Sequence, residues 1–115
     1  MRSTFLLAFA FVLAAGSTAL AAATGDQIRA AISDSTVQGN MSSGPYAEYY
    51  APDGTIKGKD YTGQWSVEGD AMCFAYQGTP KECWNVEING DQVRWIKDGA
   101  SQGTGTIVKG NANGF

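Results

Sequence analysis

Histidine is absent from this 115-residue chain, and cysteine occurs only twice, at Cys73 and Cys83. Histidine is the usual general base near neutral pH and a common zinc ligand. Its absence removes the main candidate for general-base catalysis and for zinc binding. No Ser-His or Cys-His nucleophile pair can form, and two thiols do not complete a four-ligand zinc site. The composition therefore predicts a protein that is not an enzyme, with no catalytic residue, no metal and no cofactor.

Positive charge is also scarce, since 8 lysines and arginines stand against 11 acidic residues. The basic residues are spread singly along the chain and form no patch that would neutralise phosphates. We therefore expect no nucleic-acid partner. Glycosidases use two carboxylates that face each other across a cleft. The candidate pairs in this chain are Glu48 with Asp60 and Glu82 with Glu87, so an enzyme of the cell envelope is an alternative, though an unfavoured one.

A long apolar run occurs only at the N-terminus, where Arg2 precedes residues 5–15 (FLLAFAFVLAA). Residues 19–21 (ALA) and 21–23 (AAA) both fit a small-x-small cleavage site. We expect a signal peptide over residues 1–21, cleaved after Ala21 or Ala23, and a single domain over residues 22–115. The apolar run is shorter than the roughly 20 residues of a membrane span, so we expect no stable membrane insertion after cleavage.

Export to the periplasm or beyond favours one disulfide between the two cysteines. The turn Gln77-Gly78-Thr79, read as a three-residue loop, sets Cys73 directly across from Cys83. Their separation then suits a disulfide, which points away from the apolar face of the sheet.

Two further turn signals lie in the same stretch, residues 65–95. Gly69-Asp70 suits a type II′ loop and pairs Val67 with Met72. Asn89-Gly90 is typical of a type I′ loop and pairs Ile88 with Asp91. All three turns place the same ten side chains on one face, which we predict to be the core: Trp65, Val67, Met72, Phe74, Tyr76, Trp84, Val86, Ile88, Val93 and Trp95.

The segment before the sheet predicts a short helix. Thr24 and Gln27 form an approximate capping box, and Ile28, Ala31 and Ile32 recur at helical spacing. Such a helix is marginal alone, so we expect it to cover an end or a face of the sheet.

Residues 36–60 predict a strand at 36–40, a loop at 41–45 and an aromatic-rich strand at 46–51. A two-residue loop at Asp53-Gly54 would pair Ala51 with Ile56. That register puts three strand residues and a neighbouring lysine on the outer face, and they form our candidate surface binding patch: Tyr46, Glu48, Tyr50 and Lys57.

The chain as a whole predicts a mainly β fold, an antiparallel meander that forms a small barrel or a strongly curved sheet, with a short N-terminal helix. The final strand at 102–109 carries Gly103 and Gly105, which permit the curvature that closure needs. Residues 110–115 are expected to form a flexible tail.

The residues GPYAEYYAPDGTIKGKDYTGQWSVEGDAMCFAY, followed by ECW and GTGTI, resemble a group of small secreted proteins of alphaproteobacteria. That resemblance implies a periplasmic β-domain and no activity. A weaker likeness, carried by Trp65, Gly69, Asp70 and Cys73, is to the bacterial metalloprotease-inhibitor barrels, whose N-terminal segment enters the protease cleft.

We therefore expect a secreted periplasmic protein that acts as a non-catalytic binding or envelope-associated module, with another periplasmic protein or an envelope component as partner. An inhibitor of an exported protease or lysozyme is the alternative, and residues 41–45 are its candidate contact loop.

Overall fold

A computed structural model describes residues 21–115, so the predicted signal peptide lies outside the described residues except for Ala21. These residues form one helix followed by eight strands, which close into an antiparallel barrel. The predicted fold class is thereby confirmed. The elements are α1 Gly25–Ile32, β1 Ser35–Met41, β2 Gly44–Tyr50, β3 Thr55–Gly58, β4 Tyr61–Glu68, β5 Ala71–Tyr76, β6 Glu82–Asn89, β7 Gln92–Lys97 and β8 Ala100–Lys109.

Each strand pairs with its neighbours in sequence, and β8 returns to pair with β1 along the full length of that strand. Gly39 and Gly105 face each other across this closing seam. A Cβ on Gly39 would overlap the Thr104 carbonyl oxygen and lie 2.6 Å from the Gly105 Cα. The two backbones therefore approach more closely than a larger residue at position 39 permits.

Two of the three predicted hairpin registers are confirmed. Glu68 pairs with Ala71 around Gly69-Asp70, and Cys73 pairs with Cys83. The third is wrong, because Asn89 pairs with Gln92 and the loop is Gly90-Asp91. Only Gly90 has a positive φ there, as in a type II′ loop, so a Gly-Asp pair forms the turn at both places.

The predicted core is confirmed despite that error. Because the turn lies one residue later than predicted, the β7 partner of each β6 residue moves by two positions. Side chains two residues apart in a strand share a face, so the face assignment does not change. All ten predicted residues belong to the hydrophobic core or pack against it, and Val86, Val93 and Trp95 are almost fully buried.

The helix closes one end of the barrel. Thr24 and Gln27 form the predicted capping box, and Ile28 and Ile32 are completely buried in the barrel core. The Gly25 N–H donates to the Asp70 carboxylate (2.9 Å), which joins the helix to the β4–β5 turn. Within residues 21–115, no helix combines the length and hydropathy that crossing a bilayer requires.

The segment at 41–45 does not form the predicted loop. Met41 pairs with Gly44, so β1 and β2 meet in a tight turn at Ser42-Ser43. The Ser42 N–H donates to the Gln102 carbonyl (3.0 Å), which fixes this turn against β8. The protruding loop expected of an inhibitor is therefore absent at this position.

The chain end folds back on the barrel. The Thr36 hydroxyl donates to the Gly110 carbonyl (2.7 Å) and accepts from the Ala112 N–H (3.0 Å). The Phe115 N–H donates to the Asn111 side chain (3.0 Å). The segment at 110–115, predicted as a flexible tail, is thus hydrogen-bonded to β1 and to itself.

The predicted disulfide joins Cys73 to Cys83 on the outer side of the β5–β6 hairpin. Replacing both cysteines by serine is expected to lower the free energy of unfolding by about 2–3 kcal/mol, because the bond closes a short loop in the unfolded chain. Thermal unfolding of the oxidised protein, the reduced protein and the double variant measures this. Equal melting temperatures for all three would show that the bond does not form in solution.

Candidate functional site

A cavity of about 190 Å³ opens at the end of the barrel opposite the helix. Four turns lie at this end, β1–β2, β3–β4, β5–β6 and β7–β8, because the strands of an up-and-down barrel alternate in direction. The cavity is lined by Met41, Tyr46, Glu48, Tyr50, Phe74, Tyr76, Glu82, Trp84 and Trp95. The barrel is therefore closed at one end and hollow at the other.

Aromatic rings build the wall of this cavity. Phe74 lies at the centre and makes edge-to-face contacts with Tyr50, Trp84 and Trp95 at centroid distances of 6.2, 6.3 and 5.6 Å. Such pairs add stability beyond the area they bury and fix the ring orientations. The wall is consequently apolar and rigid.

A carboxylate, that of Glu48, lies inside this aromatic wall and is only 7% exposed. The Tyr50 hydroxyl donates to its Oε1 (3.1 Å), and the Tyr76 hydroxyl donates to both Oε1 and Oε2 (3.0 and 2.8 Å). A buried carboxylate needs hydrogen-bond donors, and these two phenols supply them. Glu48 thus carries a charged or strongly polar group into the hollow end of the barrel.

The tyrosines around Glu48 keep their protons. Burial raises the pKa of Tyr50 and Tyr76 well above the ordinary value, and the negative charge of Glu48 raises it further. Burial and Glu48 raise the pKa of Tyr61 in the same way, and its ring packs against that of Tyr76. These phenols therefore remain hydrogen-bond donors throughout the physiological pH range.

A second polar contact fixes Tyr46 and Trp95. The Trp95 Nε1–H donates to the Tyr46 hydroxyl (2.7 Å), which donates in turn to the Thr104 carbonyl (3.1 Å). The hydroxyl lies over Gly105, where a Cβ would overlap it. The glycine in β8 therefore makes room for a side chain of the cavity wall.

The rim carries both charge signs. Glu82 is exposed, and the Lys97 ammonium lies 3.9 Å from its carboxylate and 5.6 Å from the centre of the Trp84 ring. The Trp84 Nε1 is buried, and no acceptor among residues 21–115 reaches it. Trp84 therefore presents a ring face to an ammonium and keeps one unused donor.

No protein-family profile, curated protein or solved structure matches this chain. The resemblances to small secreted alphaproteobacterial proteins and to metalloprotease-inhibitor barrels therefore stay predictions.

The candidate surface binding patch is wrong in its placement. Glu48 and Tyr50 are buried and Tyr46 is half-buried, and all three point into the barrel. Lys57 pairs with Tyr49 and lies on the other side of the sheet. The cause is the β2–β3 turn, which pairs Tyr50 rather than Ala51 with Ile56 and so reverses the faces.

A signal for the correct turn is present in the sequence. The Gly54 N–H donates to the Ala51 carbonyl (3.0 Å), so residues 51–54 form one β-turn with Pro52 at its second position. The Asp53 side chain accepts from the Thr55 N–H (2.9 Å) and closes an Asx turn. Pro at the second position and Gly at the fourth are the preferences of a type I turn, which would have placed Glu48 inside.

The carboxylate pairs considered from the sequence are not brought together in this cavity. Glu82 and Glu87 lie on opposite faces of β6, and Glu87 pairs with Arg94 outside (3.7 Å). Asp60 is exposed in the β3–β4 turn and does not line the cavity. Glu68 lies close to both cysteine sulfurs, but sulfurs joined in a disulfide are not the thiolates that bind metals.

The raised pKa of Tyr50 predicts that stability falls at high pH. The folded state binds the phenol proton more tightly than the unfolded chain, which loses it near pH 10.0. The stabilisation is therefore complete below that value and declines above it, by up to about 1.4 kcal/mol per pH unit.

Urea unfolding on both sides of pH 10 measures this decline. Tyr50→Phe removes one such proton and keeps the other tyrosines, so its alkaline decline should be shallower. Identical slopes for the two proteins would contradict the prediction.

Proposed function

We propose that this protein is a non-catalytic binding module of the periplasm or the secreted fraction, which takes a small ligand into the open end of its barrel. The observation that carries the proposal is the cavity of about 190 Å³, with aromatic walls and a few polar groups. Concave, mostly apolar sites with a few placed polar groups are typical of small-molecule sites, and barrel mouths are among their usual locations.

The interior residues support binding rather than empty space left by poor packing. Below the cavity the barrel is filled, since Met72, Val86 and Ile56 are completely buried, and the helix closes that end. The cavity therefore lies at the end of the barrel that opens to solvent between the turns.

The three tryptophans report on two different parts of the barrel. The Trp84 and Trp95 rings line the cavity. The Trp65 Nε1–H instead donates to the Ala51 carbonyl (2.9 Å) in the β2–β3 turn, at the helix end. Binding at the mouth is expected to shift the indole N–H signals of Trp84 and Trp95 in a nitrogen–proton correlation spectrum, and to leave that of Trp65 in place.

The first probe is 2-phenylethanol, a neutral molecule with an aromatic body and one polar group. Trp84→Ala should weaken its binding about tenfold by removing part of the wall. Ile88→Ala is the matched control, because Ile88 lies on the inner face of the same strand and does not line the cavity. Equal losses in both variants, or shifts centred on Trp65, would contradict a site at the mouth.

The secreted location rests on the predicted signal peptide, and the described N-terminus bears on its cleavage site. Ala23 is buried, and its N–H donates to the Val86 carbonyl (2.6 Å). Cleavage after Ala23 would remove this residue and place a charged amine at the positive end of α1. We therefore expect cleavage after Ala21, which the intact mass of the exported protein measures directly. An intact mass that corresponds to a chain beginning at Thr24 would contradict this.

A further inference from the structure

We propose that the ligand of this cavity is an organic cation, a protonated or quaternary amine attached to a small apolar body. This inference rests on the proposed binding function and adds the charge of the ligand to it.

The cavity lining has charge of one sign. It includes two carboxylates, Glu48 and Glu82, and none of its residues is a lysine or an arginine. Glu82 already has Lys97 beside it at the rim. Among residues 21–115, no basic side chain lies within ion-pair distance of Glu48, so the deeper carboxylate has no cation of its own.

Glu48 has hydrogen-bonding capacity left over. An ionised carboxylate offers about four acceptor positions. Tyr50 and Tyr76 make three contacts to it, two of which come from the one Tyr76 proton, and the Tyr61 hydroxyl is a third phenol beside this carboxylate. Three protons thus leave at least one acceptor position unfilled. Phenols stabilise a buried carboxylate without neutralising it, whereas an ammonium does both. A cationic ligand would therefore complete the surroundings of Glu48.

The walls suit the rest of such a ligand. Ring faces attract cations through their quadrupole, and aromatic enclosures are the common protein site for quaternary ammonium groups. The chain itself gives an instance, since the Lys97 ammonium lies over the Trp84 ring beside a carboxylate. Deeper in the cavity, Glu48 shares the lining with the Phe74 and Trp95 rings, so a carboxylate and aromatic rings are again available to one ligand.

Three probes with one aromatic body separate charge from shape: 2-phenylethylammonium, 2-phenylethanol and 3-phenylpropanoate. At neutral pH we expect the ammonium to bind at least about tenfold more tightly than the alcohol, and the carboxylate to bind most weakly. The Trp84 and Trp95 indole signals report the binding of each.

Glu48→Gln tests the residue responsible, because glutamine keeps the shape and an acceptor but loses the charge. We expect the preference for the ammonium to fall to about twofold or less, with binding of the alcohol retained. Glu87→Gln is the matched control, since Glu87 lies on the outer face of β6. In the unsubstituted protein, the side-chain carboxyl carbon signal of Glu48 should shift with the ammonium and not with the alcohol, which tests the contact even if the variant does not fold.

The outcomes separate the two proposals. Equal binding of the ammonium and the alcohol at Trp84 and Trp95 would overturn the cation inference and leave the binding module standing. No binding of any probe at these residues would overturn both. A preference that survives Glu48→Gln and disappears in Glu82→Gln would place the cation at the rim and overturn the role given to Glu48.

Discussion

Valine in place of Gly39 is expected to lower the free energy of unfolding by about 3 kcal/mol or more. Gly39 lies on β1 opposite Gly105 of β8 and opposite Tyr46 of β2. A Cβ at this position meets the Thr104 carbonyl and the Gly105 Cα, and neither backbone atom can rotate away. The barrel must then separate its two terminal strands or distort them, and both responses lose seam hydrogen bonds.

Urea unfolding of Gly39→Val beside Asn40→Ala measures this effect. Asn40 is the next residue of the same strand and is exposed, so its substitution should change stability by no more than about 0.5 kcal/mol. A Gly39→Val protein as stable as the Asn40→Ala protein would show that the seam is looser in solution than its contacts indicate.

Alanine in place of Ile32 is expected to lower the free energy of unfolding by about 2–5 kcal/mol. Ile32 is the last residue of α1, is completely buried, and belongs to the cluster that fills the closed end of the barrel. Truncation leaves a space between the helix and the strands that the rigid barrel cannot collapse to fill.

Ala30→Ser is the control for this prediction, because Ala30 is an exposed residue of the same helix. Chemical unfolding of both variants gives the two losses. Where Ile32→Ala remains folded, its binding of 2-phenylethanol at Trp84 should be unchanged, since the helix lies at the other end from the cavity. Equal stability of the two variants would mean that the helix contributes little to the barrel.

The alternation of strand side chains made the core predictable even where a register was wrong. The turn predicted at Asn89-Gly90 lies one residue later, at Gly90-Asp91. Val86 and Ile88 therefore have other partners than predicted, but their side chains stay on the predicted face. Face assignment survives any even displacement of partners, because the side-chain period of a strand is two. The ten core residues from Trp65 to Trp95 were therefore identified correctly.

The same rule explains why the site was missed. At the β2–β3 turn the partner of Ile56 was displaced by one residue, and an odd displacement reverses the face. Glu48 and Tyr50 were thus assigned to the surface, where a glutamate in a strand normally lies. The one local signal for the opposite face is the type I turn preference of Pro52 and Gly54. The two phenol partners of Glu48 come from β2 and from β5, 28 residues away, and only the closed barrel brings them together.

The order of the strands has a consequence for the way in which this chain folds. Seven of the strand pairings join neighbours in sequence through short turns, and only the pairing of β1 with β8 joins distant segments. The entropic cost of closing a long loop is therefore concentrated in a single event, after seven local hairpins that each close a short one. Moving the chain termini into the Ser42-Ser43 turn, with a linker between the present ends, would make that distant pairing local and would transfer the slow event to the pairing of β1 with β2.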